Sequence, residues 1–169
     1  MIKTDHIQTC TVPNDIMLGE IRKLVAEGHP VKFRVRGQSM LPFIVGDRDS
    51  VRLVKTNVYR PQDIALAEIQ PGHYVLHRIV SVAGQQPEDS VILMGDANLK
   101  EQEHCSVGDL AGIVDCIFRH CNEIDPHSRA ERMAVSCWLL LAPLRRWLLA
   151  IYRRTYLRHQ NNNCTNTNI

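Results

Sequence analysis

One serine in this chain stands where a nucleophile could stand. In Gly37-Gln38-Ser39-Met40-Leu41-Pro42 it follows a glycine and precedes a proline, at the end of an alternating run that reads as a strand. Serine is a weak nucleophile at its free pKa and attacks a carbonyl only beside a base. Without one, a turn serine hydrogen-bonds nearby backbone and does no chemistry. The chain holds eight histidines, most of them in turns. His77 differs. In His73-Tyr74-Val75-Leu76-His77-Arg78-Ile79-Val80 it falls mid-strand on the parity of Val75 and Ile79, where an imidazole must satisfy its nitrogens in a core or perform a task. A third segment, Met94-Gly95-Asp96-Ala97-Asn98-Leu99-Lys100-Glu101, runs from a strand end into a polar turn, where Asp and Asn ordinarily cap their own backbone.

The elements that must position these residues follow from periodicity. After Pro13, Met17, Ile21, Leu24 and Val25 form one apolar stripe of a short helix, with Asn14 as N-cap and Gly28 and Pro30 as the stop. The period then becomes two: Val31, Phe33 and Val35 alternate with Lys32, Arg34 and Arg36. Further strands are expected over 50–55, 64–69, 73–82, 91–94 and 111–118, punctuated by Gly46-Asp47, Pro71-Gly72, Gly84 and Pro87. Short strands without intervening helices predict a mainly β, antiparallel domain over 31–120, preceded by an arm and helix over 1–30. From Pro126 the pattern turns helical again, in two pieces separated at Pro143 and spanning 126–158, with a polar, asparagine-rich tail at 159–169 read as disordered.

With 169 residues, 44% of them hydrophobic and 22% charged, the chain reads as one globular domain with appendages. Its net charge of +2 does not point to nucleic acid, but the distribution is informative. Between His127 and Arg158 seven arginines (129, 132, 145, 146, 153, 154, 158) face one acid, Glu131, among leucines and Trp138, Trp147 and Tyr152. Segment 133–154 holds twelve consecutive uncharged residues, short of the roughly 18 that span a bilayer. Each basic residue near an anionic surface contributes about 1 kcal/mol, so this segment is expected to bind an anionic membrane surface. The alternative is a groove on the β domain. The six cysteines follow no CxxC spacing, so they read as free thiols in a reducing compartment, with neither metal nor other cofactor expected. The first fifteen residues have no apolar core, and no export signal is read there.

The three polar segments, in this order, resemble a known family. "GQSMLPFIVGD" is similar to the nucleophile box of type I signal peptidases, "YVLHRIVSV" to their base box, and "LMGDANLKEQE" to their Gly-Asp-x-Asn box; together they cover roughly residues 31–118. The resemblance implies a fold of coiled antiparallel sheets, shared with LexA-type self-cleaving repressors, and serine endopeptidase activity on a peptide or protein precursor such as a leader or signal-like peptide. Most bacterial members use a lysine base, whereas this chain has His77 there, like the endoplasmic-reticulum and sporulation-type enzymes. By resemblance Ser39 attacks, with its hydroxyl within or near reach of His77, which carries the proton. The Ser39 N–H donates to the oxyanion, and Gly37, Met40 and Pro42 shape the turn. Histidine-type relatives place an aspartate just beyond the third box, where this chain has Glu101, Gln102 and Glu103. Asp96 is favoured as the orienting or structural carboxylate, with Glu101 the alternative.

Signal peptidases also carry an N-terminal spanning anchor, where this chain has a helix with a wet face. Its ending, "APLRRWLLAIYRR", is similar to small Bacteroides-type members of the superfamily. A cytoplasmic location is therefore expected, peripheral on the inner membrane. The competing reading is an inactive module of the same fold that binds a peptide strand at its sheet edge. A DNA-bound repressor fits less well: thirty residues are too few for a helix-turn-helix before the β domain, its base should be lysine, and no nucleic-acid partner is expected.

Overall fold

The computed structural model describes residues 14–98, 100–120, 122–141 and 143–164, with side chains from Ile16 to Arg154. The N-terminal arm (1–13) and the last five residues lie outside the described residues. Helix α1 spans Asn14–Ala26. Its buried stripe is Leu18, Ile21 and Val25, with Met17 partly covered. Leu24, expected in the stripe, is 42% exposed, because the contact face is rotated towards Leu18. Gly28, at φ +92°, closes the helix: its N–H reaches Val25 and that of His29 reaches Leu24, satisfying carbonyls the last turn leaves open.

Eight strands form one antiparallel sheet: β1 (Val31–Arg34), β2 (Ser50–Val54), β3 (Ile64–Gln70), β4 (His73–Val82), β5 (Ser90–Met94), β6 (Glu103–Ser106), β7 (Leu110–Arg119) and β8 (Asn122–Ile124). Their order is β1-β2-β7-β3-β4-β5-β6, and β8 pairs with the end of β7. The predicted strands are all present. The structure adds β6 and β8, two short polar strands whose composition carries no alternation. Register shifts in the β2–β7, β3–β7, β3–β4 and β4–β5 pairs bend the sheet, as bulges do. Both faces are covered. Val51, Leu53, Leu66 and Val114 meet α1 in one cluster, while Ala65, Ala67, Ile79, Val91 and Leu93 gather with Tyr59 in another.

Two helices follow, α2 (Arg129–Leu140) and α3 (Arg145–Cys164), bent by 114° at the break around Pro143. The Ser128 hydroxyl accepts from the Glu131 N–H and starts α2. Helix α3 continues to Cys164, into the stretch read from sequence as a disordered tail; once a helix is nucleated, each further residue adds a backbone hydrogen bond. Among the described residues no single helix is long and apolar enough to cross a membrane. One side of this hairpin rests on the β domain: Leu149, with Trp138 and Tyr152, packs on Leu41, Val45 and Ala97 in a third cluster. The groove alternative of the sequence reading thus describes the inner face of the segment.

Leu149 is 4% exposed, so truncating it leaves a hole between helix and loop. Leu149→Ala should lower unfolding stability by about 2–4 kcal/mol, read as a shift in the urea midpoint. An unchanged midpoint would mean the hairpin contributes nothing to the folded domain.

Candidate active site

The segment after β1 is held in a fixed shape by backbone bonds and one buried carboxylate. Val35 donates to the Asp49 carbonyl and accepts from Asp47, which bring the two ends of the loop together. Gly37 has φ +86°, and the opposite Gly46 lies so close that a Cβ there would stand 2.0 Å from the Gly37 carbonyl oxygen. Only glycine allows this crossing. Beyond it, Met40 and Ile44 face the α1 side of the core, while Leu41 and Val45 face the C-terminal helices. All four are essentially buried, and Ser39 precedes them half-exposed. The fully buried Asp49 carboxylate accepts from the Val45 N–H (2.9 Å) and from Nε and Nη2 of Arg48. Arg119, 3.5 Å from the same carboxylate, donates to the Phe43 carbonyl.

His77 is 5% exposed in the middle of β4. Its Nδ1 lies 2.7 Å from a carboxylate oxygen of Glu103, at the start of β6. An anionic carboxylate accepts there, so Nδ1 carries the proton and Nε2 is left as the acceptor. Glu103 pairs in register with Leu93 of β5, which pairs with Ile79 of β4, two residues from His77. The carboxylate therefore reaches diagonally across β5 to the imidazole, and the other ring nitrogen lies beside Gly95. A Cβ on Gly95 would lie 3.1 Å from both His77 Nε2 and Ser39 Cβ, and 2.6 Å from the Ser39 carbonyl oxygen. His77 Nε2 and Ser39 Cβ thus flank one point on Gly95 and are at most twice 3.1 Å apart. The Ala97 N–H donates to the Ser39 carbonyl (2.8 Å) and locks the two loops together.

The orienting role weighed for Asp96 and Glu101 from sequence needs correction. Asp96 does not meet His77. It forms a bidentate pair with Arg78, Nε to Oδ1 at 2.8 Å and Nη2 to Oδ2 at 2.7 Å, with both side chains buried. Consecutive strand residues point to opposite faces, so the partner of Arg78 cannot also serve His77. Glu101 is exposed. Glu103 holds the imidazole because residues 103–106 form a strand on the open edge of β5, which the polar run Lys100-Glu101-Gln102-Glu103 does not announce. Asp49, Arg78, Arg119 and Gly95 are likewise site-shaping residues that periodicity does not single out. Pro42 follows Leu41 through a cis peptide in the same loop.

Ser39 and His77 line one groove of about 200 Å³, between residues 35–40 on one side and 73–77 on the other. Burial, then the charges of Asp109 and Glu103, push the Cys105 thiol on β6 up to about 11, which keeps it protonated. Among the described residues no group of three or more His, Cys, Asp or Glu side chains is placed to hold a metal ion. Searches against protein-family models and curated proteins found no match for this chain.

Two predictions follow from the loop anchors. Burial pushes the Asp49 carboxyl up, but the Arg48 hydrogen bonds, the Val45 N–H and the charges of Arg48 and Arg119 outweigh it, and the group titrates below its ordinary 3.8. The unfolded chain then takes up this proton first. The stabilisation is complete above the unfolded value and is lost as pH falls below about 4 through the folded one. Asp49→Asn should therefore be less stable than the parent at pH 7, with the gap closing at pH 3; a gap independent of pH would refute the linkage. For Gly95→Ala the intruding methyl should cost about 1–3 kcal/mol, and an unaltered melting temperature would show that the loops do not meet there.

Proposed function

We propose that this chain is a serine endopeptidase acting on a peptide or protein precursor, with Glu103, His77 and Ser39 in the roles of orienting carboxylate, base and nucleophile. The observation that carries the proposal is the 2.7 Å Glu103–His77 contact at Nδ1, which leaves Nε2 of a buried imidazole on the side of Gly95, where Ser39 also lies. What further supports it is the order of the three boxes in the sequence, and on that resemblance we assign the bent antiparallel sheet to the LexA and signal-peptidase type.

The chemistry is a two-step acyl transfer. The Ser39 hydroxyl oxygen bonds to the scissile carbonyl carbon while its proton passes to His77 Nε2. The tetrahedral intermediate collapses, the C–N bond breaks, and His77 returns the proton to the leaving amine. Water then attacks the Ser39 ester, with His77 again taking the proton and delivering it to the serine oxygen. Glu103 keeps its charge throughout and stabilises the imidazolium that forms in each half. The Ser39 backbone N–H is the donor assigned to the oxyanion; Gly37 brings no hydroxyl to assist it. A substrate in extended form suits a groove walled by the run from Val35 and by the first half of β4. A leader or signal-like peptide has that form. The alternative of an inactive peptide-binding module drew its support from the absent aspartate beyond the third box, and Glu103 supplies a carboxylate in its place.

Ser39→Ala and His77→Ala should each lower cleavage of a precursor peptide by roughly 10⁴-fold or more. Glu103→Gln keeps the shape but not the charge, and should lower turnover roughly 10²- to 10⁴-fold with the melting temperature unchanged. Asp96→Asn should act first on stability. It breaks a buried pair worth about 3–5 kcal/mol on removal of one partner, so its signature is lost stability. A fluorophosphonate probe should label Ser39 in the parent and not in Ser39→Ala. Equal labelling of both, or full activity in His77→Ala, would overturn the proposal.

A further inference from the structure

The C-terminal hairpin has a second face that the domain does not cover. On α3, Arg145, Leu149 and Tyr152 recur at i, i+4 and i+7 and turn inward. Trp147 (71% exposed) points away from that inward side, Leu148 (38%) lies along its edge, and Leu144 (52%) just before α3, with Leu140 (82%) and Met133 (68%) on α2, adds to the uncovered surface. Leu139 extends this apolar surface to a slot of about 190 Å³ beside Val80 and Met94. The exposed Arg146, Arg153 and Arg154 fall on one flank of α3, between the inward face and the apolar stripe. From the outward apolar stripe of α3, continued on α2 and bordered by these arginines, we propose that the hairpin is the docking surface by which this protein lies on an anionic bilayer.

The charge pattern selects this occupant. A second copy would bring the same arginines against these ones in a self-complementary contact, with Glu131 alone to offset seven arginines between residues 127 and 158. Anionic headgroups supply the missing charge. A helix lying in the interface plane buries its apolar side among acyl chains and keeps long cationic side chains at headgroup level. Trp147 suits the same depth, with an apolar ring and one N–H. The inward anchors fix the pose. Trp138 donates to the Asp96 carbonyl (2.9 Å) and Arg145 donates to the Trp138 carbonyl, so the hairpin cannot roll its apolar side inward without breaking the contacts behind the Ser39 loop. Docking needs no working nucleophile, so it stands or falls apart from the proposed hydrolysis.

The test uses the full chain and vesicles of phosphatidylcholine alone or mixed with phosphatidylserine. Co-sedimentation at low salt should show affinity about tenfold or more higher for the anionic vesicles, declining as ionic strength screens the arginines. Leu144→Glu with Trp147→Glu should lower that affinity by about tenfold or more while leaving the melting temperature intact, since both side chains point away from the domain. If that variant misfolds, Arg146→Gln with Arg153→Gln and Arg154→Gln, and the salt series on the parent, read the same interaction. Equal recovery in the supernatant with and without anionic lipid would overturn the proposal. So would a concentration-dependent dimer that Trp147→Glu dissolves, which would assign the face to a second copy.

Discussion

The ion pair between Arg78 and Asp96 is the constraint on which the rest of the arrangement depends. Two charged groups removed from water must be matched to each other with good geometry, and here the guanidinium fork and the carboxylate meet at two short contacts. The pair fastens the middle of β4 to the turn after β5. Because Asp96 is fixed, its neighbours Gly95 and Ala97 are fixed too, one beneath the imidazole and the other bonded to the Ser39 carbonyl. Arg78 extends the same anchor in the other direction: it donates to the Gln62 carbonyl and lies over the ring of Phe43, which meets Trp138 edge-on. One buried charge pair thus coordinates the strand bearing His77, the loop bearing Ser39 and the hairpin behind them.

Much of this fold was legible from residue order. Alternation in Val31–Arg36 and His73–Val82 located strands, and the change of period at Pro126 located the helices. Ser39 and His77 stood out because each sits where its residue type has a cost or a use. The carboxylate did not. Glu103 lies on a four-residue edge strand of polar composition, which has no apolar parity to read, and its contact with His77 crosses an intervening strand. Asp96 attracted the assignment by proximity in sequence, but a residue beside the Ser39 loop can serve a neighbour on the opposite sheet face. Tertiary pairing decides between them, and no local pattern records it.

The C-terminal segment shows a related limit. Its composition alone poses a choice between protein and lipid, since tryptophans and leucines suit either. The structure divides the residues by helical phase: Trp138 and Leu149 meet the domain, and Trp147 and Leu144 do not. Two faces, each apolar, belong to one amphipathic hairpin, and a linear count of charges cannot separate them.

The loop that carries Ser39 is wedged from two sides, by Met40 and Ile44 in the sheet core and by Leu41 and Val45 beneath the helices. That shared wedge moves the effective boundary of the unit that holds Ser39. Cut at Pro126, the chain would keep every side chain of the groove and lose the floor under half of the loop that shapes it. A C-terminal segment transplanted from another protein would have to match the relief of Leu41, Val45 and Ala97, not merely helical length and basic charge. The hairpin is therefore not a detachable tether but one wall of the mould in which the Ser39 turn is cast.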